Sequence, residues 1–237
     1  MIFAIGDLHL DHSGEKPMDI FGDRWIGHEK KIVDNWKEQV KEGDLVLIPG
    51  DVSWGLRLAD AEPDLRLIDS LPGEKLIIKG NHDYWWESMS KLDGLGLRTI
   101  RFMRNTAERY NNVGIAGTRG WMSRDSEGFS EGDEKIFKRE LARLESSLLA
   151  IDRECTTRIV MIHYPPFDNK LRPNEFIDIM NKYKVDICIY GHLHAEGHKY
   201  SVEGSLDGME LHLVSSDYLE FRLKQILEVD NENITCR

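Results

Sequence analysis

The stretch LIIKGNHD, from Leu76 to Asp83, joins a short apolar run to three adjacent polar side chains. An apolar run of this length, followed by glycine, is typical of a buried strand that ends in a loop. Asn81 offers an amide oxygen, His82 an imidazole and Asp83 a carboxylate, and each of these groups can bind a metal or a substrate. The pattern is weak when it stands alone, but four other apolar runs in the chain end in the same way.

The five runs share one feature, which is that metal-binding side chains come directly after them. Parallel strands place their carboxyl ends at one edge of a sheet, so we expect these side chains to converge. Residues two positions apart on an extended segment face the same side, which is the spacing within the first and the last pair. In chain order the residues are Asp7 and His9, Asp51, Asn81 and His82, His163, and His192 and His194.

The chemistry of this set points to transition metals. It mixes carboxylate, amide and imidazole groups without a thiolate, which suits Mn, Fe or Zn, and it contains more nitrogen than a calcium site uses. The ligands are too many for one tetrahedral ion. Two ions about 3.5–4 Å apart, bridged by one carboxylate, would use them all.

Strands and helices alternate in the first part of the chain, which predicts a parallel α/β sheet covered by helices. The segment 56–71 is predicted to be helical, with Pro63 either inside one helix or at the start of a second, because proline is poorly accepted inside a helix. Asp83 stands where the N-cap of the third helix would be. The predicted strands are 2–5, 44–48 and 75–78, and the predicted helices are 26–40, 56–71 and 84–92.

The second part of the chain predicts a further sheet within a single domain of residues 1–237. Three short strands at 98–103, 108–110 and 113–117 come one after another without helices. A hairpin with its turn at 206–208 is expected near the end. The remaining predicted elements are helices 133–151 and 175–183, strands 158–162 and 187–190, the hairpin strands 199–202 and 209–214, and a last strand at 221–229.

Composition limits the classes of partner. The chain has 31 Lys and Arg against 42 Asp and Glu, a net charge of −11, and no run of basic residues stands out. Extended nucleic-acid binding is therefore not expected, although bound cations would permit a small phosphorylated substrate. Cys155, Cys188 and Cys236 fit reduced thiols better than a disulfide framework. With no apolar segment long enough for a signal peptide or a membrane span, we expect a cytoplasmic protein.

The motifs, taken together in order, resemble those of the calcineurin-like metallophosphoesterases. The segments GNHDYWW and GTRGW are also similar to a bacterial group of phosphohydrolases within that superfamily. The resemblance implies a two-sheet α/β sandwich flanked by helices. The motifs that carry it are GDLH at Gly6, GD at Gly50, GNHD at Gly80, the single His163, and GHLH at Gly191.

The resemblance also implies a role for each residue. A hydroxide bridging two metal ions, most simply Mn with Fe or Zn as alternatives, would attack phosphorus. His82 would be the catalytic residue, as the proton donor or a transition-state contact beside the leaving group. The implied ligands are Asp7, His9 and His194 for the first metal and Asn81, His163 and His192 for the second, with Asp51 between the two.

One departure from the superfamily pattern narrows the choice of function. Protein serine/threonine phosphatases continue GD with Asp-Arg-Gly and have GNHE, whereas this chain continues Asp51 with VSWG and has GNHD. Trp54 stands near the place of the Asp that would pair with His82, so a protein phosphatase is disfavoured. A small or nucleotide-like phosphoester is expected. The alternatives are a nuclease acting on short nucleic-acid ends and a non-catalytic metal-binding scaffold.

Substrate contacts are expected from loops. Arg119 can bind a phosphate with its planar fork, Trp121 can stack on a ring, and His12 lies just after the first motif. An exposed surface role is an equal or stronger alternative for each. We expect the loops 11–25 and 118–132 to close over the site. Ordinary structural roles are predicted for His28, His198 and His212 and, as helix-to-sheet packing, for Trp85 and Trp86.

Overall fold

Two β-sheets form the centre of the protein in the computed structural model, which describes residues 1–229. The first sheet has the strand order β11-β1-β2-β3-β4 and the second has the order β5-β6-β7-β8-β10-β9. The strands are β1 (Ile2–Ala4), β2 (Leu45–Ile48), β3 (Glu74–Ile77), β4 (Ile100–Phe102), β5 (Ala107–Tyr110), β6 (Val113–Thr118), β7 (Thr157–Ile162), β8 (Ile187–Tyr190), β9 (Gly204–Leu206), β10 (Met209–Leu213) and β11 (Lys224–Leu227).

Parallel pairing dominates both sheets. In the first sheet β1 to β4 are parallel and β11 is antiparallel to β1. In the second sheet β6, β7, β8 and β10 are parallel, while β5 and β9 are antiparallel edge strands. The predicted two-sheet α/β sandwich is confirmed. The helices are α1 (His28–Gln39), α2 (Leu58–Ser70), α3 (Met89–Asp93), α4 (Glu131–Leu149) and α5 (Glu175–Lys182).

Both faces of each sheet are buried, which explains the continuous apolar runs of the strands. Successive side chains of a strand point to opposite faces. Leu45 and Leu47 of β2 therefore pack between the sheets, whereas Val46 and Ile48 pack with Trp36 of α1. The three apolar layers hold the carboxyl ends of the central strands at one edge. Within residues 1–229, none of the helices has the length and apolar character that crossing a membrane requires.

The segment after β2 decides between the two alternatives for Pro63. A single helix, α2, runs through Pro63, which starts no second helix. Proline removes one backbone donor from the helix. The buried side chains of Leu65 and Ile68 pack onto the core just beyond it, and we attribute the continuity of the helix to that packing.

The segment after β3 corrects the prediction of a helix at 84–92 with Asp83 as its N-cap. The helix begins at Met89 with Ser88 before it, so residues 84–88 are not helical and Asp83 is not its N-cap. Trp85 is fully buried and its ring lies 6.2 Å from that of Phe102, so it packs on the sheet from a loop rather than from a helix.

The remaining differences lie near the end of the chain. Residues Ala195–Tyr200 form a 3₁₀-helix, and the hairpin strand that pairs with β10 is Gly204–Leu206 rather than 199–202. The last predicted strand is confirmed in its central part as β11. Cys155 and Cys188 are free and buried, and Cys236 lies outside the described residues.

Candidate metal centre

The predicted ligands lie together at the carboxyl ends of β1, β2, β3, β7 and β8. Nε2 of His9 and Nε2 of His194 are 3.3 Å apart. The Asn81 side-chain oxygen lies 2.6 Å from Nε2 of His163 and 2.8 Å from Nδ1 of His192. Two groups have ligand atoms within 4.8 Å of one another and could each hold an ion, namely Asp7, His9 and His194, and Asp7, Asp51 and His163.

Asp51 provides the test of whether this set fits a cation. Its Oδ2 is buried and accepts no hydrogen bond from any residue in the range 1–229. Nε2 of His163 lies 3.5 Å from that oxygen, and Nε2 of His9 lies 3.9 Å from it. Burial raises the pKa of Asp51 to about 7, with the charge of His163 opposing this shift and the carboxylates of Asp83 and Asp7 adding to it. A buried carboxylate oxygen without a partner, between imidazole nitrogens, is what a bound cation would stabilise.

Electrostatic coupling within the cluster is strong. Burial alone would lower the pKa of His194, but its hydrogen bonds with Asp217 and Asp7 raise it to about 10. Burial would raise the pKa of Asp7, and the hydrogen bond and charge of His194 instead bring it well below its usual range. Burial, together with repulsion from His163, lowers the pKa of His192 to about 3. The ionisation of the carboxylates and imidazoles is therefore strongly linked, and a cation would bind the imidazoles in competition with protons.

The backbone at four of these residues is not extended, contrary to the expectation for the first and last pairs. The φ angles are 56° at Asp7, 46° at His9, 54° at Asp51 and 73° at His192. Asp and His adopt this left-handed region more readily than most residues, but it still costs about 1–3 kcal/mol at each position. Such strain concentrates at functional sites, and here it accompanies the tight turns that bring these side chains into one cluster.

Glycine precedes Asn81 and His192 because there is no room for a side chain. A Cβ at Gly80 would overlap the carboxylate of Asp51, and a Cβ at Gly191 would overlap that of Asp7. Gly80 has a negative φ, so close approach is the reason for this residue. The glycines of the motifs thus let two backbone loops contact two candidate ligands.

Asp83 links the loops after β2 and β3. Its buried carboxylate accepts hydrogen bonds from the backbone N–H groups of Asp51 at 2.9 Å, Val52 at 2.9 Å and Gly80 at 2.8 Å, and from Nε1 of Trp85 at 3.0 Å. Burial raises its pKa, although these hydrogen bonds favour the ionised form. Asp83 therefore holds the turn that carries Asp51 and does not cap a helix.

Asp217 is a functional candidate that the sequence reasoning missed. It lies after β10, and its Oδ1 is 2.8 Å from Nδ1 of His194. Its Oδ2 accepts a hydrogen bond of 3.0 Å from the N–H of Ala195 and lies 3.2 Å from Nε2 of His198. A sixth apolar run, residues 209–214, ends in Ser-Ser-Asp, and this was the signal.

Replacing Asp217 with Asn tests its effect on the metal site. A carboxylate behind a ligating histidine fixes the ring and its tautomer, and its loss typically weakens metal binding about 10–100-fold. We expect Asp217→Asn to weaken Mn²⁺ binding by about this factor in calorimetry. The control is Asp207→Asn, because Asp207 lies in the turn between β9 and β10. Equal affinity for Asp217→Asn and the unmodified protein would refute the role of Asp217.

Aromatic rings orient His82, whose expected Asp partner is missing. Its ring centroid lies 4.6 Å from that of Trp54 and 5.7 Å from that of His9. Its Nδ1 is buried without a hydrogen-bond partner among the residues that the structure describes. Its backbone N–H donates to Oδ1 of Asp51 at 2.8 Å. Burial, together with repulsion by His163, lowers the pKa of the imidazole.

The loop 11–25 packs against the cluster. The ring of Trp25 lies 6.0 Å from that of His9 and 5.8 Å from that of His194. His28, for which an ordinary role was predicted, has its Nε2 3.2 Å from the carbonyl oxygen of His9 and so supports the backbone of a candidate ligand. His12 is exposed, and its backbone N–H donates to Asp64.

The loop 118–132 borders the other side of the site. A cavity of about 130 Å³ is lined by His192, Trp121 and Tyr164, among others. The Tyr164 ring lies 4.3 Å from the His192 ring, and the guanidinium of Arg119 lies 4.3 Å from the centre of the Trp121 ring. Both loops thus border the site, and their closure over a substrate stays a prediction.

Several known proteins are similar to this chain, among them a phage protein and a hydrolase of known structure. The Gene 66 protein of Mycobacterium phage D29 is 35% identical over 85 residues, which is 35% of this chain and 40% of the phage protein. The solved structure of phosphopantetheinyl hydrolase (PptH) from Mycobacterium tuberculosis aligns with a TM-score of 0.59 and 15% identity over 95% of each chain.

Two further solved structures are similar. A protein of unknown function from Aquifex aeolicus has a TM-score of 0.50 and 17% identity over 94% of each chain. GAP50, the anchor in the inner membrane complex of Plasmodium, has a TM-score of 0.52 and 17% identity over 91% of this chain and 71% of its own. At these identities the structural matches show a shared fold.

A family model makes the assignment. The model described as calcineurin-like phosphoesterase matches residues 1–196, which contain every predicted metal ligand and His82. The match covers most of the chain, and the structure brings those residues to one edge of the predicted sandwich. The chain belongs to the calcineurin-like phosphoesterase family.

Proposed function

We propose that this protein is a metal-dependent phosphoesterase that hydrolyses a small or nucleotide-like phosphoester. We further propose that residues 1–237 form a single domain. The observation that carries the proposal is the cluster itself. Five strands of two sheets deliver carboxylate, amide and imidazole groups to one place, where the Oδ2 atom of Asp51 has no partner within residues 1–229. Membership in the family supports phosphoester hydrolysis as the reaction class.

Each residue of the cluster has a proposed role. Two transition-metal ions, when bound, would lower the pKa of a coordinated water and draw negative charge from the phosphoryl oxygens. Asp51, whose Oδ2 lies 3.5 Å from Nε2 of His163 and 3.9 Å from Nε2 of His9, would contact both ions. In the proposed set, Asp7, His9 and His194 hold the first ion and Asn81, His163 and His192 hold the second.

His82 is proposed to act on the leaving group. Its Nδ1 is buried, so we expect Nε2 to face the substrate. Contact with Trp54 and the hydrogen bond from its backbone to Asp51 hold the ring at the edge of the cluster. From there it would donate a proton or a hydrogen bond to the departing oxygen, which general acids do at about 2.6–3.2 Å.

The cavity beside His192 supports a nucleotide-like substrate. Trp121, Tyr164 and Tyr200 line it, and flat aromatic faces of this kind stack on rings such as nucleobases. A nuclease acting on short nucleic-acid ends would use the same cavity. The net charge of −11 favours short or small substrates over long nucleic acid.

Metal removal tests the proposal directly. Treatment with a chelator should abolish hydrolysis of p-nitrophenyl phosphate and of bis(p-nitrophenyl) phosphate, and added Mn²⁺ should restore it. Because ions bound only by the folded state stabilise it, removal should also lower Tm, by an amount equivalent to about 3 kcal/mol when the ion was present at 100 times its Kd.

The outcomes separate the candidate functions. Faster turnover of the monoester or of the diester identifies the type of phosphoester, and release of nucleotides from short oligonucleotides would favour the nuclease. A protein that binds two metal ions per chain but hydrolyses none of these compounds would instead fit a metal-binding scaffold. That result would contradict the proposed enzyme.

A further inference from the structure

A basic cavity lies beside the metal centre. Its volume is about 270 Å³. One side is formed where β3, β4 and β6 end, and the other side is formed by α4, so it opens at the same edge as the metal ligands. Its charged lining consists of Lys79, Glu87, Arg104, Arg119, Arg139, Glu140 and Arg143.

Two carboxylates do not neutralise the five cations. Glu87 lies 2.9 Å from Lys91 and is therefore engaged outside the basic cavity. Glu140 is buried and pairs with Arg143 at 2.5 Å. Arg119 lies 3.9 Å from Glu140, too far for a hydrogen bond.

The positive charges of Arg139, Lys79 and Arg104 are also poorly neutralised by carboxylates. Arg139 lies 4.0 Å from the same buried carboxylate, Glu140. Within residues 1–229 no carboxylate lies within 4.0 Å of the Lys79 or Arg104 charge. A protein of net charge −11 thus has a local excess of positive charge. No run of basic residues in the sequence marks this cavity, because the five residues come from four separate segments.

The basic cavity is physically connected to the metal centre. The carbonyl oxygen of Arg119 accepts a hydrogen bond of 3.1 Å from the backbone N–H of His163, so the segments that follow the paired strands β6 and β7 are in direct contact. Lys79 stands two positions before Asn81 in the loop after β3. The Arg119 guanidinium lies over Trp121, whose ring lines the cavity next to His192. Arg119 therefore separates the basic cavity from the place proposed for the substrate ring.

We propose that the basic cavity binds a second phosphate group of the substrate, remote from the phosphoester that is hydrolysed. The substrate class is then a nucleotide-like ester that carries a separate terminal phosphate, and this rests on the proposed function. Several convergent cations cost free energy through mutual repulsion unless an anion binds between them. A phosphate dianion can accept hydrogen bonds from several arginine forks at once, which one carboxylate cannot.

A matched pair of chromogenic esters tests the proposal. The pair is thymidine 5′-(p-nitrophenyl phosphate) with and without a phosphate on the 3′ oxygen. Because hydrogen bonds to charged groups are among the stronger ones, we expect kcat/KM to be about 10–100 times higher for the 3′-phosphorylated ester than for the ester without that phosphate. The double variant Arg104→Gln, Arg139→Gln should bring that ratio close to one, and both side chains are exposed, so folding is preserved.

A charge control and a binding measurement complete the test. Arg101→Gln removes one positive charge from β4 at an exposed ion pair with Glu108 and should leave the ratio unchanged. Calorimetry with thymidine 3′,5′-bisphosphate and thymidine 5′-monophosphate, on the Mn²⁺-loaded His82→Ala protein, measures the same preference without turnover.

The binding measurements decide whether the phosphate subsite exists, and the hydrolysis measurements decide separately whether the proposed function is correct. A preference of about tenfold or more for the bisphosphate in binding, lost in the Arg104→Gln, Arg139→Gln background, supports the subsite even if neither ester is hydrolysed and the proposed function fails. Equal binding of the two nucleotides, or a preference that the double variant retains, overturns the subsite even if both esters are hydrolysed.

Discussion

His82→Ala is expected to lower kcat about 10²–10⁴-fold while the protein keeps its bound metal, because a positioned proton donor contributes about this factor. His82 belongs to neither group of ligands, and it contacts the cluster through ring packing and through its backbone. Metal content per chain and kcat for an ester with a phenolate leaving group, which needs protonation, are the two measurements. Loss of metal in the variant would instead identify His82 as a ligand.

The leaving group distinguishes proton donation by His82 from a hydrogen-bonded contact. The p-nitrophenolate ion departs readily without a proton, whereas a phenolate or alkoxide does not. If His82 is the general acid, His82→Ala should therefore lose more activity on a phenyl ester than on a p-nitrophenyl ester. A loss of the same size on both esters would indicate that His82 forms a hydrogen-bonded contact in the transition state and does not donate the proton. His212→Ala is the matched control, since His212 lies on β10 and faces Glu203 and Lys224.

Asp83→Ala is expected to lower the free energy of unfolding by about 3–5 kcal/mol, since several buried N–H donors lose their acceptor and each unsatisfied one costs about 1–3 kcal/mol. Four N–H groups lose their acceptor, and those of Asp51 and Val52 belong to the turn that presents the proposed bridging carboxylate. Urea unfolding measures the change, and Mn²⁺ affinity should fall with it. Asp93→Ala, a change at an exposed Asp at the end of α3, is the control.

A conservative variant keeps this prediction testable if Asp83→Ala does not fold. Asp83→Asn retains one acceptor oxygen but directs an amide NH₂ group towards N–H donors, so we expect an intermediate loss of stability. A change below about 1 kcal/mol in both variants, the size of one ordinary hydrogen bond, would contradict the assigned role of Asp83.

The sequence determined which strands are buried and which polar residues stand at their ends. A buried strand is recognised from an apolar run of four to six neighbouring residues, and the polar residues that follow each run are its neighbours in the chain. Both features are therefore local and visible in the sequence. Since parallel strands share an edge, the convergence of Asp7, Asp51, Asn81, His163 and His192 could be predicted from the sequence. The ordered motifs led to the family in the same way. The bounds of β7 and β8 differ from the prediction by one residue at most.

Tertiary structure alone decided what surrounds those residues. Asp83 contacts Asp51 across 32 positions of sequence, and His194 contacts Asp217 across 23, so no local pattern predicts either pair. The left-handed backbone at Asp7 and His9 depends on loops that pack closely, which replaced the extended segment expected from spacing.

Contacts between distant segments also form the part of the site that is proposed to bind the substrate. The basic cavity combines residues from the ends of β3, β4 and β6 and from α4 that are isolated charges in the sequence. Trp54 orients His82 through ring contact, in place of a carboxylate that the motif lacks. Short-range patterns therefore identified the candidate metal ligands. The groups that orient them, and those proposed to select the substrate, depend on contacts between distant segments, which only the folded chain brings together.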